Sequence, residues 1–104
     1  MSVDSSLLRH IKATVIAVEP SAEVILFGSR ARGDEREDSD WDLLILVPYA
    51  VDLSVEQRFR HQLFNLELEY GVAISTHVKC KSDWEGKLKW TPLHQNIKQE
   101  GIRI

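Results

Sequence analysis

Two short apolar runs, VILF at residues 24 to 27 and LLILV at 43 to 47, are separated only by GSRARGDEREDSDWD. Each run is too short for a helix and lacks clean alternation, the pattern of strands covered by helices on their faces. Strands are therefore expected within Glu23 to Gly28 and Asp42 to Val47, the second stopped by Pro48. Any fold for this chain must set these two strands into a core and leave the segment between them at one end. That segment carries five successive charged residues, Asp34 to Asp38, and reads as an exposed loop.

The rest of the chain falls around this centre. Leu7, Leu8, Ile11, Val15 and Val18 recur at helical spacing after Asp4 to Ser6, which can cap the helix, and Pro20 should end it. Ser54 with Gln57 reads as a capping box for a second long helix. Its stripe is Val55, Phe59, Leu63, Leu66 and Tyr70, and Gly71 terminates it. Val72 to Lys79 alternates as a third strand. Ser82 and Glu85 form a second box before a short helix with Trp84 and Leu88. Thr91-Pro92 opens a last helix through Leu93 and Ile97 to Gly101. The expected order is helix, strand, turn, strand, helix, strand, helices, a single α/β or α+β domain over residues 1–104.

Bulk properties exclude some roles. A net charge of -3 is poor for displacing counterions from DNA, so no direct DNA binding is expected. Cys80 is the one cysteine, so no intrachain disulfide can form. The first residues lack a signal-peptide layout, and no apolar run approaches the roughly 20 residues of a membrane span. A cytoplasmic location is the expectation.

The linking segment carries the chemistry. Gly28 at a strand end permits a tight turn with outward-facing N–H groups, and Ser29 adds a hydroxyl beside them. A short helix starting there would point its positive end at an anion. Arg30 and Arg32 lie two apart and point differently, so at most one faces phosphates. Asp40 and Asp42 share a face of an extended chain. Two close carboxylates repel unless neutralised, and an oxygen-ligand cation such as Mg²⁺ answers that. The plainer alternative is that Asp40 caps a turn and Asp42 pairs with an arginine. Trp41 should face away from both, into the core or toward a partner. Trp84 and Leu88 read as packing residues, His61 and His94 as surface or helix-packing residues rather than metal ligands, and Trp90 as structural.

The string from Phe27 to Leu43 resembles the glycine-serine and paired-aspartate motifs of the DNA polymerase beta nucleotidyltransferase superfamily, and most closely its minimal nucleotidyltransferases. The closing TPLHQNIKQEGI also resembles the tail of many such proteins. The resemblance implies a small mixed sheet flanked by helices. It implies a triphosphate held by the Gly28 turn amides and the Ser29 hydroxyl, beside whichever of Arg30 and Arg32 faces it, with Asp40 and Asp42 as the catalytic carboxylates that hold the metal. The implied reaction is Mg²⁺-dependent transfer of a nucleoside monophosphate, AMP foremost, from ATP or another NTP to a hydroxyl. The implied partner is an all-helical HEPN protein in a toxin–antitoxin pair, with a tyrosine as acceptor, or a second copy of the chain.

One departure weakens the enzymatic reading. The family takes a third carboxylate from the next core strand, here GVAISTHVK, where Ala73 or Ser75 stands at that place. No acid lies between Gly71 and Lys81, and His77 is a substitute ligand or an edge residue. A nucleotide-binding antitoxin or regulatory subunit with weakened chemistry is therefore the alternative function.

Overall fold

The computed structural model describes residues 3–104, with side chains described from Ser5 onward. Helix α1 (Val3–Val18) leads into strand β1 (Glu23–Phe27), the single-turn helix α2 (Ser29–Arg32) and strand β2 (Trp41–Val47). Helix α3 (Leu53–Tyr70), strand β3 (Ile74–Cys80), helices α4 (Lys81–Glu85) and α5 (Pro92–Glu100) and a two-residue strand β4 (Ile102–Arg103) complete it. The sheet order is β3-β2-β1-β4, with β2 and β3 parallel and the other pairs antiparallel. The expected α+β class and element order hold, and β4 is an addition that the sequence reading lacked.

Period-two alternation in the strands sorts the core into two layers. Val24, Leu26, Leu43, Ile45 and Val47 point to one face, where they meet Leu7, Ile11 and Val15 of α1 and Phe59, Leu63 and Leu66 of α3. Phe27, Leu44 and Leu46 point to the other and meet Trp84 of α4 and Ile97 of α5. Both faces of β2 are thus covered, which is why its sequence is apolar throughout. Each large aliphatic or aromatic side chain removed from water contributes roughly 1.5–3 kcal/mol, so the two small layers together hold the domain.

Three caps differ from the sequence reading. Helix α1 already includes Asp4 to Ser6, so they form its first turn rather than its cap, and the Asp4 side chain lies outside the described residues. The Ser6 hydroxyl instead shares a hydrogen bond with the Tyr70 hydroxyl at 2.8 Å. The cap of α3 is Asp52, whose Oδ1 accepts from Val55 N at 2.9 Å, leaving Ser54 inside the helix. An aspartate in extended backbone two residues earlier outcompetes the Ser54–Gln57 box. Strand β3 runs straight into α4 through Cys80, so Ser82 caps nothing. Thr91 does cap α5, accepting from His94 N at 3.3 Å with Pro92 behind it. Gly71 closes α3 in the left-handed conformation as expected. Among the described residues no helix is long and apolar enough to cross a membrane.

Candidate functional site

The antiparallel register of β1 and β2 sets Phe27 opposite Asp42, so the turn after β1 folds back over the start of β2. Gly28 sits there at φ 77° and ψ -162°, a combination open essentially to glycine. A Cβ on Gly28 would lie 2.2 Å from Asp42 Oδ2, so the missing side chain is what lets the backbone close on the carboxylate. Ala31 N and Arg32 N then bond to Gly28 O, each at 3.0 Å, starting α2 directly after the turn. The leading N–H groups of such a turn have no helical partner. The half-buried Ser29 hydroxyl makes no hydrogen bond within the described residues. Gly33, at φ 84°, ends the turn with its N–H on Ser29 O at 2.9 Å.

The two arginines separate. Arg30 Nε and Nη2 reach Ser39 O at 3.3 and 3.1 Å, Nη2 also reaches Glu37 O at 3.3 Å, and the guanidinium lies 4.6 Å over the Trp41 ring. It holds the charged loop, which Ser39 also braces by accepting from Arg36 N at 2.8 Å. Arg32 turns the other way, donating from Nη1 to Glu100 Oε2 at 2.7 Å and from Nε to Asp34 Oδ2 at 3.2 Å. It lies close enough to Asp42 to favour that residue's ionised form.

Trp41 turns into the core, where it is 3% exposed, and Asp40 on its other side lies within electrostatic reach of Asp42. Neither carboxylate makes a hydrogen bond or ion pair within the described residues. Burial, and then the charge of Asp40, push the Asp42 carboxyl above its ordinary value, with Glu100 adding to the rise and His77 and Arg32 opposing it. The plainer reading, with Asp42 in an arginine pair, does not describe this arrangement. Two like charges with no bonded partner are fit to hold a divalent cation. The described residues contain no group of three or more His, Cys, Asp or Glu able to hold a metal. Mg²⁺ often takes one or two carboxylates and completes its shell with phosphate oxygens and water. The pair therefore fits a metal that arrives with a nucleotide rather than one held by protein alone.

The parallel β2–β3 register sets Ser75, rather than Ala73, beside Asp42. Ser75 pairs with Asp42 and His77 with Leu44, while Ala73 lies one step beyond the ladder and accepts from Trp41 N at 2.9 Å. His77 is on the same face as Asp42 but deeper, with its ring 5.6 Å from Phe27. Burial lowers its proton affinity against the pull of Asp42. Glu67 is committed elsewhere, accepting from Ile74 N at 2.7 Å, and Glu69 is exposed on α3. His94 packs on Trp84 at 4.6 Å, whereas Trp90 is 79% exposed. The residue that the sequence reading missed is Glu100, brought by α5 to Arg32 and within electrostatic reach of Asp42. Its only signal was the family-like tail, because its neighbours in space are distant in sequence.

Comparison with known proteins identifies the family and the fold. The nucleotidyltransferase domain family matches residues 8–104. Two Methanocaldococcus jannaschii proteins, provisionally named as protein adenylyltransferases, are similar. One is 37% identical over 83 residues, covering 76% of this chain and 73% of its own. The other is 46% identical over 59 residues, covering 57% and 60%. Among solved structures, a minimal nucleotidyltransferase superposes with a TM-score of 0.59 at 26% identity, covering 96% of this chain and 94% of that one. A toxin–antitoxin complex crystallised with AMP-PNP shares the fold at a TM-score of 0.63 and 17% identity, over 90% of this chain and 69% of that one. The chain belongs to the nucleotidyltransferase domain family and carries the DNA polymerase beta-like fold of the minimal nucleotidyltransferases.

Proposed function

We propose that this protein binds an Mg²⁺–NTP, ATP foremost, and transfers its nucleoside monophosphate to a hydroxyl. The observation that carries this reading is the closure of the Gly28 turn onto Asp42, which sets phosphate donors and an unpaired carboxylate pair side by side. The Ser29 hydroxyl, the first N–H groups of α2 and Arg32 supply donors to the outer phosphates. Arg30 braces the loop, so Arg32 is the arginine of the phosphate site. Asp40 and Asp42 would hold the metal together with nucleotide oxygens. When bound, Mg²⁺ offsets charge on the transferring and departing phosphates. The residues around it fix the phosphate path so that an acceptor oxygen meets the α-phosphorus in line.

The acceptor we propose is a tyrosine of a HEPN-type helical partner. The adenylyltransferase names of the two relatives and the toxin–antitoxin origin of the fold neighbour support this reading. A second reading is a nucleotide-binding antitoxin with weakened chemistry, and one observation favours it: Ser75, not an acid, stands beside Asp42. Incubation with labelled ATP, Mg²⁺ and the neighbouring gene's product tests both. Transfer by the parent protein supports the enzyme. Transfer only after Ser75→Asp, and not after Ala73→Asp, supports the weakened subunit and the register that places Ser75 beside Asp42. A parent that neither binds nor transfers the nucleotide contradicts both.

A further inference from the structure

We infer that Glu100 is a positioning residue for the phosphate site, acting through Arg32. The inference rests on the proposed nucleotide reading. Arg32 ends a single-turn helix, and its side chain is 48% exposed, so the backbone alone leaves a long flexible cation without a fixed direction. Two carboxylates give it one. Asp34, itself 62% exposed, takes Nε at 3.2 Å, and Glu100, 16% exposed, takes Nη1 at 2.7 Å. Nη2 has no partner within the described residues. The guanidinium is therefore gripped on two nitrogens, with donors of the third left for another anion.

Glu100 can act as an anchor because its own backbone is seated in the core. Ile97, one turn earlier, is buried in the layer formed with Phe27 and Leu44. Gly101 follows with its N–H on Ile97 O at 2.7 Å, and a Cβ there would lie 2.8 Å from Ile25 Cγ2. Ile102 then pairs with Leu26, two residues before Gly28. Strand β4 thus staples the end of α5 to the end of β1 from which the phosphate turn departs. This placement puts a carboxylate near a site for anions, where its charge opposes ionisation of Asp42. An exposed ion pair contributes little to stability. A fixed Arg32 does contribute to binding, because its donors need not be ordered when the phosphates arrive.

Titration calorimetry of the full chain with Mg²⁺–ATP tests this, with ¹⁵N relaxation of the Arg32 Nε–H as a reading independent of nucleotide. Glu100→Ala should weaken ATP binding by roughly three- to tenfold, less than the tenfold or more expected for losing the charge-assisted contact itself. Its melting temperature should change little, and the Arg32 Nε–H should become mobile. Glu100→Gln, which keeps an acceptor at the same reach, should bind within about threefold of the parent. In an Arg32→Ala background, Glu100→Ala should cause no further loss. Equal or tighter ATP binding by Glu100→Ala overturns the inference, as does the same loss with and without Arg32. A mobile Arg32 in the parent overturns it too. A parent that holds Arg32 rigid yet binds no Mg²⁺–ATP overturns the nucleotide reading, and with it the inference. That failure is distinguishable because it shows in the unmodified protein.

Discussion

Gly28→Ala tests the closest contact in the site. The substitution forces a side chain into φ 77° and ψ -162°, a glycine region whose occupation by another residue costs about 1–3 kcal/mol. The new Cβ also falls 2.2 Å from Asp42 Oδ2 and 3.0 Å from Cγ, so the carboxylate must rotate away or the turn must open. A chain of this size has an unfolding entropy of roughly 0.22 kcal/mol/K, so strain alone lowers the melting temperature by roughly 5–14 °C. Thermal melts by circular dichroism measure that loss. Repeating the substitution in an Asp42→Ser background removes the colliding oxygen and leaves the strain, so the penalty should shrink without vanishing. Calorimetry should show Mg²⁺–ATP affinity falling as well, because the carboxylate that moves is the proposed ligand. A Gly28→Ala protein melting within about 1 °C of the parent would refute the strain argument. An equal penalty in both backgrounds would refute the contact with Asp42.

Asp42→Asn should melt above the parent at pH 7 when nucleotide and Mg²⁺ are absent. The folded state raises the Asp42 carboxyl above 3.8, through burial and then Asp40, so the native protein holds that proton more tightly than the unfolded chain. Stability tied to Asp42 therefore falls as pH rises through the raised value and returns as pH drops toward 3.8. The gap between variant and parent should widen as pH rises from 3.8 through the raised value, and a variant no more stable than the parent at pH 7 would contradict this. Asp52→Ala should cost about 1 kcal/mol, or roughly 5 °C in melting temperature, through loss of the α3 cap. Ser54→Ala should stay within about 0.5 kcal/mol of the parent, and the reverse ranking would restore the Ser54 box.

The centre of the candidate site was legible because its signals are local. A glycine forced to positive φ, a hydroxyl beside it and two aspartates two apart before an apolar strand all lie within residues 28–42. The stripe on α3 was legible too, since helical spacing alone selects Phe59, Leu63 and Leu66. The caps were harder. Asp52 and Ser54 both suit a helix start, and only the backbone shows which carboxylate or hydroxyl meets a free N–H. Strand β4 is too short for any periodicity, and it exists because α5 delivers Ile102 to the edge of β1. The choice between Ala73 and Ser75 needed a parallel register, which no local pattern encodes. Glu100 and Arg32 meet across 68 residues of chain, so their pairing belongs to the tertiary fold alone.

Calorimetric titration of Mg²⁺–ATP into the parent, Asp40→Asn and Asp42→Asn, with circular dichroism to verify folding, tests the paired-aspartate site most directly. The parent should bind ATP in Mg²⁺ and lose most of that affinity in EDTA. Each folded variant should bind at least about tenfold more weakly, the equivalent of one lost charge-assisted contact. Parent-like affinity in both folded variants would contradict the assignment of Asp40 and Asp42 to metal and nucleotide.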